Sequence, residues 1–139
     1  MKQSVILSEA RARVATPDMW CKFKLIEGNR RCLLGAMGDD DYFSIHWILS
    51  TDIVQPALET LYNSIKTLGF YRPIVNLSYV VQPYTVGIAE FNNHPDTTHT
   101  DILAVLNHAI EQAEAKELWV ELNQPSASNS VQEEEVVLS

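Results

Sequence analysis

The segment NNHPDTTHTDILAVLNHAIEQA, residues 92–113, constrains the chain more than any other. It joins the most polar turn in the sequence to its best helix. Pro95 ends whatever precedes it, because proline lacks the amide donor and pushes its predecessor into an extended conformation. Thr97 or Thr98 can then cap a helix; with Thr98 as N-cap, Asp101 follows three residues on, so that hydroxyl and carboxylate can each satisfy backbone amides left without helical partners. Asp96 and Asp101 put negative charge at the positive end of the helix dipole. Ile102, Leu103, Leu106, Ala109, Ile110 and Ala113 follow helical spacing and form one apolar stripe. A helix over 98–119 is therefore expected, its pattern continuing through Leu118, Trp119 and Leu122.

A second seam faces it. Val54, Leu58, Leu61, Ile65 and Leu68 alternate four- and three-residue steps, Ser50 or Thr51 can cap the helix with Asp52 in its first turn, and Gly69 is a natural stop. A third helix is predicted over 5–15, with Val5, Ile6, Ala10, Arg13 and Val14 on one side and Thr16-Pro17 ending it. Between these, WCKFKLI alternates as a weak strand, Glu27-Gly28-Asn29-Arg30 is a turn, and RRCLLGAM is either a return strand or a short helix from Cys32. Gly38 to Asp41 reads as a solvated loop, lacking the alternating ligands of a calcium loop. Tyr42 to Leu49 is apolar but its period decides nothing, and His46 within it reads as a core or boundary residue. IVNLSYVV and YTVGIAEF read as short strands or extended pieces on either side of Gln82-Pro83. Together these predict a helix-dominated α+β fold, a single globular domain over 1–122, and a flexible acidic tail over 123–139.

Length and charge narrow the function. At 139 residues and 46% hydrophobic, the chain is large enough for one real core. A net charge of -8 disfavours attraction to phosphate backbones, so direct nucleic-acid binding is not expected, while basic protein partners or imitation of nucleic acid suit it. No apolar run approaches the ~18 residues of a membrane span, and the N-terminus lacks the pattern of a secretory signal. Cys21 and Cys32 then read as reduced thiols in the cytoplasm.

Cys32 and His99, with Asn93 as the leading choice among Asn92, Asn93 and Asp96, can be arranged as a catalytic set: a thiol, a base to take its proton, and a group to orient the imidazole. A helix starting at Cys32 would lower its pKa. That makes a small cysteine hydrolase or transferase the enzymatic alternative. Against it stands a packed Cys32 and a His99 that only shields the helix start. As binding residues the turn offers Asn92, His94 and Asp96. No metal site is expected, since His46, His94, His99 and His108 form no HExxH and the cysteines no CxxC. No cofactor is expected either, because none of the five glycines belongs to a phosphate-cradling GxGxxG loop and no GxSxG elbow occurs.

The chain also resembles an uncharacterised family of small bacterial and phage proteins. The resemblance lies in the Glu9–Val14 helix, Trp20 to Lys22, the Cys-x-x-Gly-Ala run at Cys32–Ala36, and the Thr-His-x-x-Ile-Leu run at Thr98–Leu103 preceded by Asn92. Where such proteins read Trp-Asn-Asp, this chain has Phe91-Asn92-Asn93, which leaves no acid there to orient His99. The resemblance implies no activity; it implies a phage or bacterial accessory protein. The leading expectation is a non-enzymatic protein that binds and modulates a host protein, with an acidic nucleic-acid mimic as a further alternative. Structurally, Trp20, the Cys32–Met37 segment and the Asn92–His99 turn are expected to pack together.

Overall fold

The computed structural model describes residues 2–38, 53–71 and 83–123. The Asp39–Asp41 loop, Tyr42–Leu49 with His46, the cap at Ser50 or Thr51, the IVNLSYVV segment and the tail from 124 onwards lie outside these residues. The fold is α+β and helix-dominated: the described residues form four helices and one two-stranded antiparallel hairpin. Helix α1 is Gln3–Arg13, strands β1 and β2 are Ile26–Glu27 and Arg30–Arg31, α2 is Gln55–Thr67, α3 is Pro83–Asn93 and α4 is His99–Asn123.

α4 is the central element, packing against α1 on one side and α2 on the other. Its capping box forms as the spacing predicts: Asp101 N–H donates to Thr98 Oγ1 at 3.3 Å and Thr98 N–H to Asp101 Oδ2 at 3.0 Å. Ile102, Leu106, Ala109 and Ala113 are buried, joined by Val105. Each large aliphatic side chain removed from water stabilises the fold by roughly 1.5–3 kcal/mol. Beyond Ala113 the pattern no longer faces a core: Leu118, Trp119 and Leu122 are exposed. The helix outruns the described elements that could cover it, so apolar spacing there extends the helix without burying it.

α2 presents Leu58, Leu61 and Ile65 to the core, with Val54 just ahead of it. Its end is a Schellman motif: Gly69, at φ +82°, donates to Lys66 O, and Phe70 N–H donates to Ile65 O at 2.9 Å. Leu68 falls outside that seam and is partly exposed. α1 begins and ends two residues earlier than its sequence suggests. It buries Ile6, Leu7 and Ala10, followed by Val14, while Val5 turns outward.

The extended reading of YTVGIAEF is corrected: these residues lie in α3. Tyr84, Val86 and Ile88 alternate like a strand, but Gly87, Ile88, Phe91 and Asn92 are the buried set, which is a helical spacing. Pro83 is tolerated because it opens the helix, where its missing donor costs nothing. Gly87 lets α3 approach α2 closely, since a Cβ there would overlap the Tyr62 ring.

The stretch from Trp20 to Met37 is a hairpin followed by a turn. β1 and β2 pair Ile26 with Arg31 and Glu27 with Arg30 around Gly28, at φ +65°. The strand reading of WCKFKLI holds only at its end, since residues 22–25 are bends. The apolar run after β2 becomes a 3-10 turn at Gly35–Met37, not a full helix. Two arginines satisfy carbonyls of this turn and its exit: Arg31 Nη1 donates to Gly35 O and Gly38 O at 2.9 and 2.7 Å, and Arg13 Nη1 donates to Ala36 O at 2.8 Å.

Candidate functional site

Trp20, the Cys32–Met37 segment and the turn before α4 do meet, and the residue that joins them is Asn92. It is buried at the end of α3. Its Oδ1 accepts from the Trp20 indole Nε1–H at 2.7 Å and from the Leu33 backbone N–H at 3.0 Å. Its Nδ2 donates to the Cys21 carbonyl at 3.2 Å and to Asn93 Oδ1 at 2.9 Å. A carboxamide has two acceptor sites and two donors, so Asn92 is fully engaged with its own chain. The amide orientation follows from the partners, because an indole N–H and a backbone N–H can only donate.

Its neighbours extend the network. Asn93 Oδ1 also accepts the Phe23 backbone N–H at 2.7 Å. The Lys22 ammonium donates to the His94 carbonyl at 2.7 Å and sits 5.5 Å from the Trp20 ring centroid, within cation–π range. Trp20 in turn stacks at a tilt on His99, with centroids 6.1 Å apart. The polar corner is thus a set of ties between residues 20–33 and the α3–α4 connection.

The proposed catalytic residues are placed as follows. His99 Nε2 lies 2.7 Å from the Val14 carbonyl. That oxygen only accepts, so the ring carries its proton on Nε2 and bonds to the end of α1. Cys32 Sγ accepts the Gly35 N–H at 3.3 Å. No hydrogen bond joins Cys32 to His99, and Asn93 is bonded to Phe23 and Asn92. The expectation that a helix start would lower the Cys32 pKa is corrected. Burial pushes the thiol up, and the amides of the short 3-10 turn offset this only in part. Cys21, also buried, is pushed up as well, first by burial and then by the Glu27 charge, and both thiols are free.

The proposed binding residues divide. Asn92 is consumed as described. His94 Nδ1 accepts the Asp96 N–H at 3.1 Å. The Asp96 carboxylate lies 3.9 Å from the same ring nitrogen and is exposed. His108 bonds Ser64 Oγ at 2.8 Å, between α4 and α2. Among the described residues, no three His, Cys, Asp or Glu side chains gather to hold a metal ion. No helix among them is long and apolar enough to cross a membrane.

Sequence reasoning missed two features. Phe23 has φ +71°, a left-handed conformation rare for a bulky residue, and is 76% exposed. Alternation in WCKFKLI pointed its side chain inward; the interleaving of Lys22 and Lys24 with an aromatic residue was the available signal. The second is a carboxyl and tyrosine cluster between α2 and α3. Glu90 is pushed up by burial, and its Oε2 has no hydrogen-bond partner. Tyr62, beside Tyr71 and Tyr84, is pushed up to about 12, mainly by burial and then by its bond to Tyr71.

Fold and corner together define a helix-dominated α+β protein in which a buried asparagine at the end of α3 ties down residues 20–33. The chain belongs to a family of unknown function, DUF6197, whose model matches residues 1–112. That match ends one residue before Ala113, the last buried residue of α4. No curated protein and no solved structure matches the chain.

Proposed function

We propose that this protein acts by contact: a non-enzymatic interaction protein that binds and modulates another protein, in the manner of a phage or bacterial accessory factor acting on a host protein. The observation that carries the reading is the saturation of Asn92. All four of its hydrogen-bonding positions, with His99 Nε2 beside them, are used on the protein's own backbone and side chains. A group committed to holding the fold is not free to orient a substrate or shuttle a proton. Cys32, whose thiol burial holds protonated, is poorly suited to attack. Large apolar side chains meanwhile face solvent, among them Phe23, Trp119 at 65% and Leu122 at 75% exposure, the kind of surface that recognition uses. A cytoplasmic setting is part of the proposal and is consistent with two free cysteines.

The test is affinity capture from host lysate with the full chain as bait, beside a variant with both cysteines replaced by serine. A reproducible partner retained by both baits is expected. No partner with either bait counts against a contact function. A partner lost only with the doubly substituted bait returns attention to the thiols.

A further inference from the structure

Phe23 is the residue whose presence the fold does not explain. Its backbone is left-handed, a conformation that glycine and asparagine take readily and that a bulky side chain takes only where its surroundings impose it. The surroundings are specific. Phe23 N–H is held by Asn93 Oδ1 at 2.7 Å, Lys22 is tied to the His94 carbonyl, and Cys21 N–H donates to Arg31 O at 3.1 Å. The Cys21 thiol also reaches the Lys24 carbonyl at 3.5 Å. Residues 21–23 are thus tied to β2 and to the end of α3, Lys24 is closed back onto Cys21, and the result is a ring left 76% in water. Stability alone favours glycine or asparagine at this position. An aromatic side chain held rigidly in solvent is instead what an interface anchor requires, because little ordering remains to be done on binding.

Charge identifies what it faces. Residues 20–31 hold four of the chain's ten lysines and arginines and one acid, Glu27, in a protein with 18 acids overall. Arg31 is turned inward to the 3-10 turn. Lys22 and Lys24 flank Phe23 directly. Arg30 and Lys24 share the single Glu27 carboxylate at 2.6 and 3.5 Å, so this group of side chains keeps a positive excess. We propose that Phe23, with Lys22 and Lys24 on either side of it in the chain and Arg30 linked to Lys24 through Glu27, is a docking knob for an acidic segment of a partner protein, the ring entering an apolar site on that segment while its carboxylates face the cations. This rests on the contact function proposed above and assigns it a surface and a partner chemistry. The acidity of the remainder of the chain repels such a segment elsewhere, which gives the docking its register.

The experiment is selection of a random-peptide library on the immobilised full chain, followed by amide chemical-shift mapping of the selected peptides. Enrichment of Asp and Glu around an apolar residue is expected, with shifts centred on residues 22–24 and 30. Affinity should fall as salt rises, Phe23→Ala should weaken binding at least about tenfold, and Lys24→Ala with Arg30→Ala should flatten the salt dependence. Phe23→Gly should lose binding while melting at or above the parent temperature. A melting temperature several degrees lower would make the ring part of the fold and overturn the proposal. So would peptides without acid enrichment, unchanged binding by Phe23→Ala, tighter binding of a single-stranded oligonucleotide at the same residues, or a Phe23-dependent dimer in sedimentation. Shifts centred on Leu118, Trp119 and Leu122 would overturn this surface and leave the contact function standing. Neither peptide nor lysate protein retained by the parent chain would remove both.

Discussion

Replacing Asn92 by alanine tests whether the polar corner holds the fold together. The substitution removes four hydrogen bonds, but their partners are not equally dependent on it. Asn93 Oδ1 keeps the Phe23 N–H, and the half-buried Trp20 indole can turn to water. Leu33 is fully buried and Cys21 nearly so, so the Leu33 N–H and the Cys21 carbonyl are left without partners. Each such buried orphan costs about 1–3 kcal/mol, and the space left by the carboxamide adds about 1 kcal/mol. The expected loss is about 3–7 kcal/mol, a large share of the ~5–15 kcal/mol that keeps a domain folded. Urea unfolding followed by tryptophan emission measures it, with Trp20 reporting from within the corner. A variant within about 1 kcal/mol of the parent, at unchanged slope, would refute the reasoning.

Asn92→Asp sharpens the same test. A carboxylate still accepts from Trp20 and Leu33 but has no donor for the Cys21 carbonyl or Asn93 Oδ1, and it is charged in a buried site. Where burial and the facing Cys21 and Asn93 oxygens outweigh the two remaining donors, the protonated form is favoured in the fold, and stability is expected to fall as pH rises and to recover toward acid. A urea midpoint for this variant that is flat with pH, relative to the parent, would mean that water reaches the site.

Gly35→Ala would drive a Cβ into the Leu25 carbonyl and should cost more than about 2 kcal/mol in the same urea assay, since backbone and not a flexible side chain must move. Leu106→Asp, at a fully buried position of α4, should abolish cooperative thermal unfolding; a variant melting within a degree of the parent would remove α4 from the core. Cys32 should react with iodoacetamide far more slowly in the folded chain than a free thiol does, and equal or faster labelling would contradict its burial and raised pKa. Glu90, raised by burial, favours the fold most in its neutral form, so its contribution should fade as pH climbs through its folded pKa. Glu90→Gln should flatten that part of the stability profile, as compared by urea midpoints from mildly acidic to neutral pH.

α2 and α4 were legible because periodicity, caps and stops agree: Thr98 with Asp101 at one end of α4, Gly69 after α2, and four- and three-residue steps between. Local and tertiary preferences point the same way there, which is what makes a segment readable in isolation. α3 was not legible because Tyr84, Val86 and Ile88 satisfy a strand's alternation while Ile88 and Phe91 satisfy a helix's, and a run that short leaves the choice to packing. The path of Trp20 to Leu25 was hidden for a different reason. Its bends are set by bonds to Asn92, Asn93, the His94 carbonyl and β2, 70 to 72 positions away in all but the last, and no local pattern encodes partners at that range.

The candidate site divides along the same line. That three segments converge was readable from where the polar turn, the tryptophan and the Gly-Ala run fall relative to the helices. Which residue of the turn does the joining was not, because Asn92, Asn93 and His94 are all polar and only burial separates them. Burial also reverses the meaning of the corner. Exposed, the same carboxamide would be a ligand-binding group; enclosed between Leu33 and Trp20, it becomes the means by which α3 fixes the strained backbone at Phe23 through its neighbour Asn93. The buried asparagine and the exposed phenylalanine are therefore two ends of one device. Loosening the first by Asn93→Ala should free the second without emptying the core, because Asn93 touches Phe23 and Asn92 while Leu33 and the Trp20 indole keep their bonds to Asn92.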